Sequence, residues 1–305
     1  MITFELTKTP PKSGYCPNHM ILTATDLSPR ETYSFLAGAV APRPICFAST
    51  IDAEGKVNLS PYSFFNVVSG DPPMLAFSPL RSGRDGKTKD TLNNVLAVPE
   101  VVINIVDHAM VEQMSLTSTA YPPEVNEFEK AALTQVQSES VRPPRVGESP
   151  VSFECVVDRV IPLGDGPMAG NLVLARVVCI HVRDEFAPGG TFDPTLLDLV
   201  GRMGGNDYVR AIPESLFEIP KPVRSLGIGV DALPPHIRNS TVLSGNNLGR
   251  LGNAERLPTE AEIAKAAKLP AVAQARSQGR ESLHTLAKDS LERGDVELAL
   301  RILLG

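Results

Sequence analysis

APRPICFAST (residues 41–50), IDAEGKVNLSPYSFFNVVSGDPPMLAFSP (51–79) and RSGRDGKTKDT (81–91) follow one another almost without a gap. Residues 43–51 are apolar-rich and β-prone, Asp52-Ala-Glu-Gly55 offers a turn, and extended structure resumes at Val57, which makes a hairpin. Asp71-Pro-Pro73 closes the second strand region, and residues 74–77 read as a short buried strand ending at Ser78-Pro79. The stretch gathers hydroxyls, an amide, paired Phe residues and cations around two turns. Such a surface suits a flat, phosphorylated ring. Phosphate takes oriented donors and a cation, and an aromatic ring system takes an apolar wall beside a few polar groups that orient it.

Downstream, Asp90 is placed to cap a short helix through Leu92, Val95 and Leu96, and residues 100–106 (EVVINIV) read as another buried strand. Helical pieces are expected at 108–116 and 124–132. Val151, Phe153, Cys155 and Val157 alternate, a Gly-rich turn occupies 164–170, and 172–182 is a long strand pattern, so a further hairpin is expected. At least five β segments joined by hairpin turns point to a mostly antiparallel sheet closing into a barrel. Regular strand–helix alternation is missing, which disfavours a doubly wound nucleotide-binding fold. Beyond Phe217 the character changes: Ile219-Pro-Lys-Pro222 reads as a linker, 227–252 as turn-rich, and 258–304 as helical. Leu283, Leu286, Ala287 and Leu291 fall on one helical face, and Leu298 and Ile302 on another. The expected division is a domain over 1–218 and a linker with helical extension over 219–305, the latter a packing or oligomerisation arm.

The chain has 305 residues, 42% of them hydrophobic, enough for a substantial core. A net charge of −6 with scattered cations argues against nucleic acid and anionic membrane as partners. No apolar run approaches the roughly twenty residues that span a bilayer, and the N-terminus lacks a signal-peptide pattern, so the expected compartment is the cytoplasm. Cys16, Cys46, Cys155 and Cys179 form no CxxC pair; Cys16 and His19 make a lone C-x-x-H, and His108, His181, His236 and His284 are dispersed. No metal site is expected from that spacing. GIGVDA (227–232) imitates a dinucleotide fingerprint, but Leu233-Pro-Pro235 forbids the helix that would hold pyrophosphate. No GxSxG elbow, Walker loop or HExxH occurs.

Several short motifs recur in one order: PRPI-x-F-x-ST, G-x-VNL-x-PYSFFN-x-VS-x-DPP, KDT-x-x-N, Asn126-Glu127-Phe128, Pro143-Pro144-Arg145, Phe153-Glu154-Cys155, and Arg202-Met-Gly-Gly205 with Tyr208. Together they resemble the flavin reductase-like, FMN-binding split-barrel family, which includes flavoredoxins and the reductase components of two-component monooxygenases. The resemblance implies a mainly β fold, a six-stranded antiparallel split barrel with short peripheral helices, usually a homodimer with FMN near the subunit interface. Cys46, Ala48 and Ser60 depart modestly from the family's pattern, and the tail after Phe217 resembles an extension found in only some relatives.

With that resemblance, Ser49 and Thr50 are expected at the flavin phosphate or ribityl chain. Asn58, Ser60, Pro61 and Ser63 would offer backbone groups to the ring edge. Phe64 and Phe65 point to opposite faces of a regular strand, so one lines the flavin and the other enters the core. Lys89 and Thr91, helped by Arg43 or Arg81, are the phosphate candidates, with oriented amides at the helix start near Asp90. His181, Arg202 and Tyr208 are candidates for contact with nicotinamide or another substrate. No catalytic acid or base is expected. The implied activity is an NAD(P)H-dependent flavin reductase, with NADH or NADPH as donor and a monooxygenase as possible recipient of reduced flavin. An FMN-binding electron carrier with little NAD(P)H activity is the alternative, and a split barrel whose flavin transforms an organic substrate is a third.

Overall fold

The computed structural model describes residues 20–219 and 226–305. Cys16 and His19, and Pro220 to Pro222 of the linker, lie outside the described residues. The chain divides into two compact units, one ending at Leu216 and one running from Phe217 to Gly305.

In the first unit a seven-stranded antiparallel sheet is built from β1 (Cys46–Ile51), β2 (Val57–Tyr62), β3 (Phe65–Gly70), β4 (Pro73–Phe77), β5 (Glu100–Ile105), β6 (Val151–Pro162) and β7 (Asn171–Val182). Their order across the sheet is β2-β1-β5-β6-β7-β4-β3. The edge strands, β2 and β3, are consecutive in the chain and joined only by Ser63 and Phe64. A flat sheet of this width spans about 29 Å at roughly 4.8 Å per strand. The link from Tyr62 to Phe65 reaches about 10 Å at most. The sheet therefore curls until its edges approach at that end.

The resemblance implies six strands; the sheet has seven. The extra one arises because the extended segment from Val57 to Gly70 breaks at Ser63-Phe64 and places its two halves on opposite edges. From sequence alone, residues 57–70 read as one strand region closed by Asp71-Pro-Pro73.

The curled sheet encloses a core of Cys46, Ala48, Tyr62, Phe65, Leu75, Phe77, Val101, Ile103, Cys155, Val173 and Ala175. Helix α2 (Asp90–Ala97) adds Leu92 and Val95 to it. Lys89 is its N-cap residue, and Asp90, expected as the cap, is instead the first helical residue. On the other face of β1 and β2, Phe47 and Leu59 pack with Met110, Met114 and Phe128 from short helices at Val111–Leu116 and Glu127–Lys130 and the turn before them. Every residue of β1 is consequently buried. Glu127 accepts the Leu59 amide at 3.0 Å, which satisfies a donor on the edge strand. Helix α1 (Pro29–Ala39) begins with a capping box in which Ser28 and Glu31 satisfy each other's amides.

The second unit is helical. Pro235–Arg238, Gly245–Gly252, Glu260–Ala267, Pro270–Gln278, Arg280–Glu292 and Val296–Leu304 enclose Leu233, Ile237, Leu251, Ala287, Leu291 and Ile302. Gly245–Gly252 falls in the segment expected to be turn-rich. A Ser244–Asn247 capping box and burial of Leu251 override its poor helix formers. No helix among the described residues is long and apolar enough to cross a membrane.

Phe65 is 8% exposed inside the sheet, whereas Phe64 remains partly accessible. Phe65→Ala should lower stability by about 3–5 kcal/mol. Phe64→Ala should cost clearly less, and urea denaturation of the two variants decides the assignment.

Candidate flavin-binding site

The β1–β2 hairpin turns at Asp52, whose carboxylate accepts the Glu54 and Lys56 amides at 3.0 and 2.8 Å, with Gly55 at φ 85°. The turn fixes the register Thr50↔Asn58, Ser49↔Leu59, Ala48↔Ser60 and Cys46↔Tyr62. Side chains alternate along a strand. Thr50, Asn58, Ser60 and Tyr62 thus share the face that meets α2, while Ser49 and Pro61 lie on the face of Phe47 and Leu59.

On the α2 face the polar groups form one network. Thr50 Oγ1 accepts from Asn94 Nδ2 at 3.1 Å and Asn58 Nδ2 at 3.4 Å, and Asn58 Nδ2 donates to Thr91 Oγ1 at 2.9 Å. Thr50 and Thr91 are almost wholly buried. The hydroxyls thereby accept from protein amides and pin the start of α2 to the hairpin. Beneath Lys89 lies Tyr62, whose phenol is pushed up to about 12 by burial, with the nearby Thr91 and Ser60 hydroxyls a partial offset. Its hydroxyl has no well-formed hydrogen bond among the described residues.

Lys89 is exposed as a residue, yet its ammonium lies 5.7 Å from the Tyr62 ring centroid, and the surrounding protein lowers its pKa by displacing water. The Leu92 and Asn93 amides bond to the Lys89 carbonyl. Those of Asp90 and Thr91 have no acceptor among the described residues. A cation beside two free first-turn amides matches a dianionic phosphate. This donor set fits the phosphate of FMN, and it is the part of the expected cradle that the geometry brings together.

The remaining candidates lie elsewhere. Ser49 is fully buried and its hydroxyl has no partner among the described residues, so it is enclosed beneath the Phe47 side of the sheet and out of reach of a ligand's phosphate. Arg43 is 7% exposed and committed to protein: its guanidinium donates to the carbonyls of Ala37, Val40 (2.7 Å) and Met203 (3.1 Å) and to Ser63 Oγ (3.4 Å). It stacks 5.7 Å from the Phe64 centroid, and Tyr33 of α1 flanks the same ring at 6.0 Å. Arg43 is therefore a structural tie between α1, the 203 loop and the β2–β3 link, in place of the expected phosphate helper. Arg81 donates to the Gly86 carbonyl at 3.2 Å and keeps a buried Nε without a partner among the described residues.

Arg202 stacks 4.6 Å over Tyr208 and also donates to its hydroxyl and to the Gly205 carbonyl. Both residues line a cavity of about 470 Å³ with His108, Glu112, Ser115 and Arg210. Arg210 is already paired with Asp198 at 2.5 Å. His181 is at neither place: its Nε2 lies 2.6 Å from Glu154 Oε1. Tyr62, Asn94 and Glu154 acquire roles that residue-by-residue reading missed, although all three stand inside quoted motifs.

Residues 38–204 match the model of the flavin reductase like domain, and the chain belongs to that family. An uncharacterized protein of Halalkalibacterium halodurans is 41% identical over 191 residues, covering 62% of this chain and 91% of the relative. Nitrilotriacetate monooxygenase component B from Bacillus cereus superposes with a TM-score of 0.61 at 32% identity, over 68% of this chain and 100% of that one. The Pseudomonas fluorescens 2-nitrobenzoate 2-nitroreductase NbaA does so at 0.58 and 26% identity, over 68% and 100%.

Asn94→Ala removes the 3.1 Å donor to the buried Thr50 hydroxyl. It should lower stability by about 1–3 kcal/mol. A urea midpoint equal to wild type would show that the network does not secure α2.

Proposed function

We propose that the first unit is an FMN-binding split barrel and that the protein is an NAD(P)H-dependent flavin reductase. The observation that carries this reading is the Lys89 ammonium beside the free Asp90 and Thr91 amides, within a chain of the flavin reductase like family. Lys89 and these amides would hold the phosphate of FMN. Thr50, Asn58 and Asn94 keep the amides aimed by fixing α2. Bound FMN supplies a two-electron acceptor for hydride from nicotinamide, a transfer that needs ring alignment and no protein acid or base. That requirement suits a site made of orienting groups. Phe64, held against Arg43 and Tyr33, and the Arg202–Tyr208 pair are the candidates for walls around the ring and the donor.

The protein is further proposed to act as a cytoplasmic homodimer that passes reduced flavin to a monooxygenase. The name of the Bacillus cereus neighbour, component B of a monooxygenase, supports that partner class. Exposed aliphatic residues on β3 and β7, Val67, Val68 and Ile180, offer surface for a second copy.

NADH or NADPH oxidation with added FMN tests the activity. Turnover with at least one donor is expected, and negligible turnover with both alongside tight FMN binding would assign an electron carrier instead. Lys89→Ala should weaken FMN binding by roughly tenfold or more, because a charge-assisted contact contributes about 1.5–3 kcal/mol. Fluorescence titration of flavin measures it, and unchanged affinity removes Lys89 from the phosphate seat.

A further inference from the structure

The long β6–β7 hairpin slips by one residue between Val177 and Cys179. Before the slip, Val177 faces Cys155, a residue of the sheet's inner core. After it, Cys179 faces Glu154, the next residue along β6, whose side chain points the other way. The bulge at Val178 therefore turns Cys179 and His181 to the face of Glu154. The three donor atoms, one oxygen, one sulfur and one nitrogen, lie within 4.8 Å of one another. Cys179 Sγ is 3.5 Å from His181 Nε2, and Glu154 Oε1 is 2.6 Å from the same nitrogen.

This convergence separates two chemistries. A thiol–imidazole–carboxylate relay puts thiol and carboxylate on opposite ring nitrogens. Here both approach Nε2, which suits donors aimed at one shared point. We infer that Glu154, Cys179 and His181 form a binding site for a divalent metal ion of the zinc class.

Zinc takes thiolate, imidazole and carboxylate at about 2.3, 2.0–2.1 and 2.0–2.2 Å, so a tetrahedral site has S···N and N···O edges of about 3.5 and 3.3 Å. The sulfur–nitrogen edge already has that length. The oxygen–nitrogen edge must open by roughly 0.7 Å as the metal replaces the hydrogen bond. Glu154 is fully buried and oriented by the Glu139 and Ser140 amides at 2.8 and 2.6 Å, the outer support a ligating carboxylate needs. Cys179 and His181 are half-buried, which leaves the ion a path from solvent and the fourth position for water. On binding, the metal–sulfur bond forms as the thiol proton leaves to solvent, and the metal–nitrogen and metal–oxygen bonds form as the proton held between His181 Nε2 and Glu154 leaves to solvent or is replaced by one on Nδ1, with no change of oxidation state.

The test uses the full chain, stripped of adventitious metal by a chelator and titrated with Co²⁺ and then Zn²⁺. About one Co²⁺ per chain should produce a thiolate-to-cobalt charge-transfer band with d–d bands of four-coordinate intensity, and Zn²⁺ should abolish both. Cys179→Ser should remove the charge-transfer band, and both it and His181→Ala should weaken Zn²⁺ binding about 100-fold or more, with unchanged far-ultraviolet circular dichroism. Cys16→Ser should leave the band in place. The inference is overturned if wild type gives no charge-transfer band at saturating Co²⁺, if Cys179→Ser retains it, or if Cys16→Ser removes it. FMN affinity of the same proteins reports on the flavin site separately.

Discussion

The two-residue link of Ser63 and Phe64 governs the first unit. Because it joins the outermost strands of a seven-stranded sheet, the sheet cannot stay open, and its inner face becomes a closed core. The closure explains the composition of β1. With one face against the curled interior and the other against Met110, Met114 and Phe128, the strand is buried throughout, and its polar residues must be satisfied by protein. Thr50 is satisfied by Asn58 and Asn94, whereas Ser49 is not. That difference follows from the face each occupies: one meets the amides around α2, and the other meets hydrocarbon.

The same constraint positions the proposed phosphate seat. Helix α2 packs Leu92 and Val95 onto the core, so its axis is set by hydrophobic contact, and the Thr50–Asn58–Thr91–Asn94 bonds set its start. A helix N-terminus offers an anion only its first-turn donors, and their usefulness depends on where they are aimed. Anchoring both the apolar stripe and the polar start leaves the Asp90 and Thr91 amides without an acceptor among the described residues, next to Lys89. The polar residues of the motif thus act through the helix they hold more than through contact with a ligand of their own.

Much of this was legible in the sequence. Strand patterns at 43–51, 100–106, 151–157 and 172–182, helices near 108–116 and 124–132, and the change beyond Phe217 rest on periodicity and turn chemistry, which are local. The break at Ser63-Phe64 was not legible, since paired Phe residues in a β-prone run carry no local stop signal. Nor was the fate of Arg43, whose carbonyl partners come from Ala37, Val40 and Met203, the last 160 residues away. Lys89 and Thr91 could be picked out as candidates because they flank Asp90, the first residue of a short helix, and a helix start is itself a local pattern. The pairing of His181 with Glu154 depends on a register between two strands, which no single segment encodes.

Period-two reasoning assigns each strand residue to a face, and it fails where the backbone period slips. Two of the irregularities of this kind redirect side chains named above. At Ser63-Phe64 the chain leaves one sheet edge for the other, so Phe65 enters the core while Phe64 stays between Arg43 and Tyr33. At Val178 an extra residue in β7 turns Cys179 and His181 away from the inner face and onto Glu154. A regular strand would have continued the alternation of Val173, Ala175 and Val177 and driven a thiol and an imidazole into the apolar interior, where unpaired polar groups are costly. The bulge avoids that cost. It also brings together three groups whose spacing in sequence implies nothing, so this cluster exists only because the strand is irregular at that point.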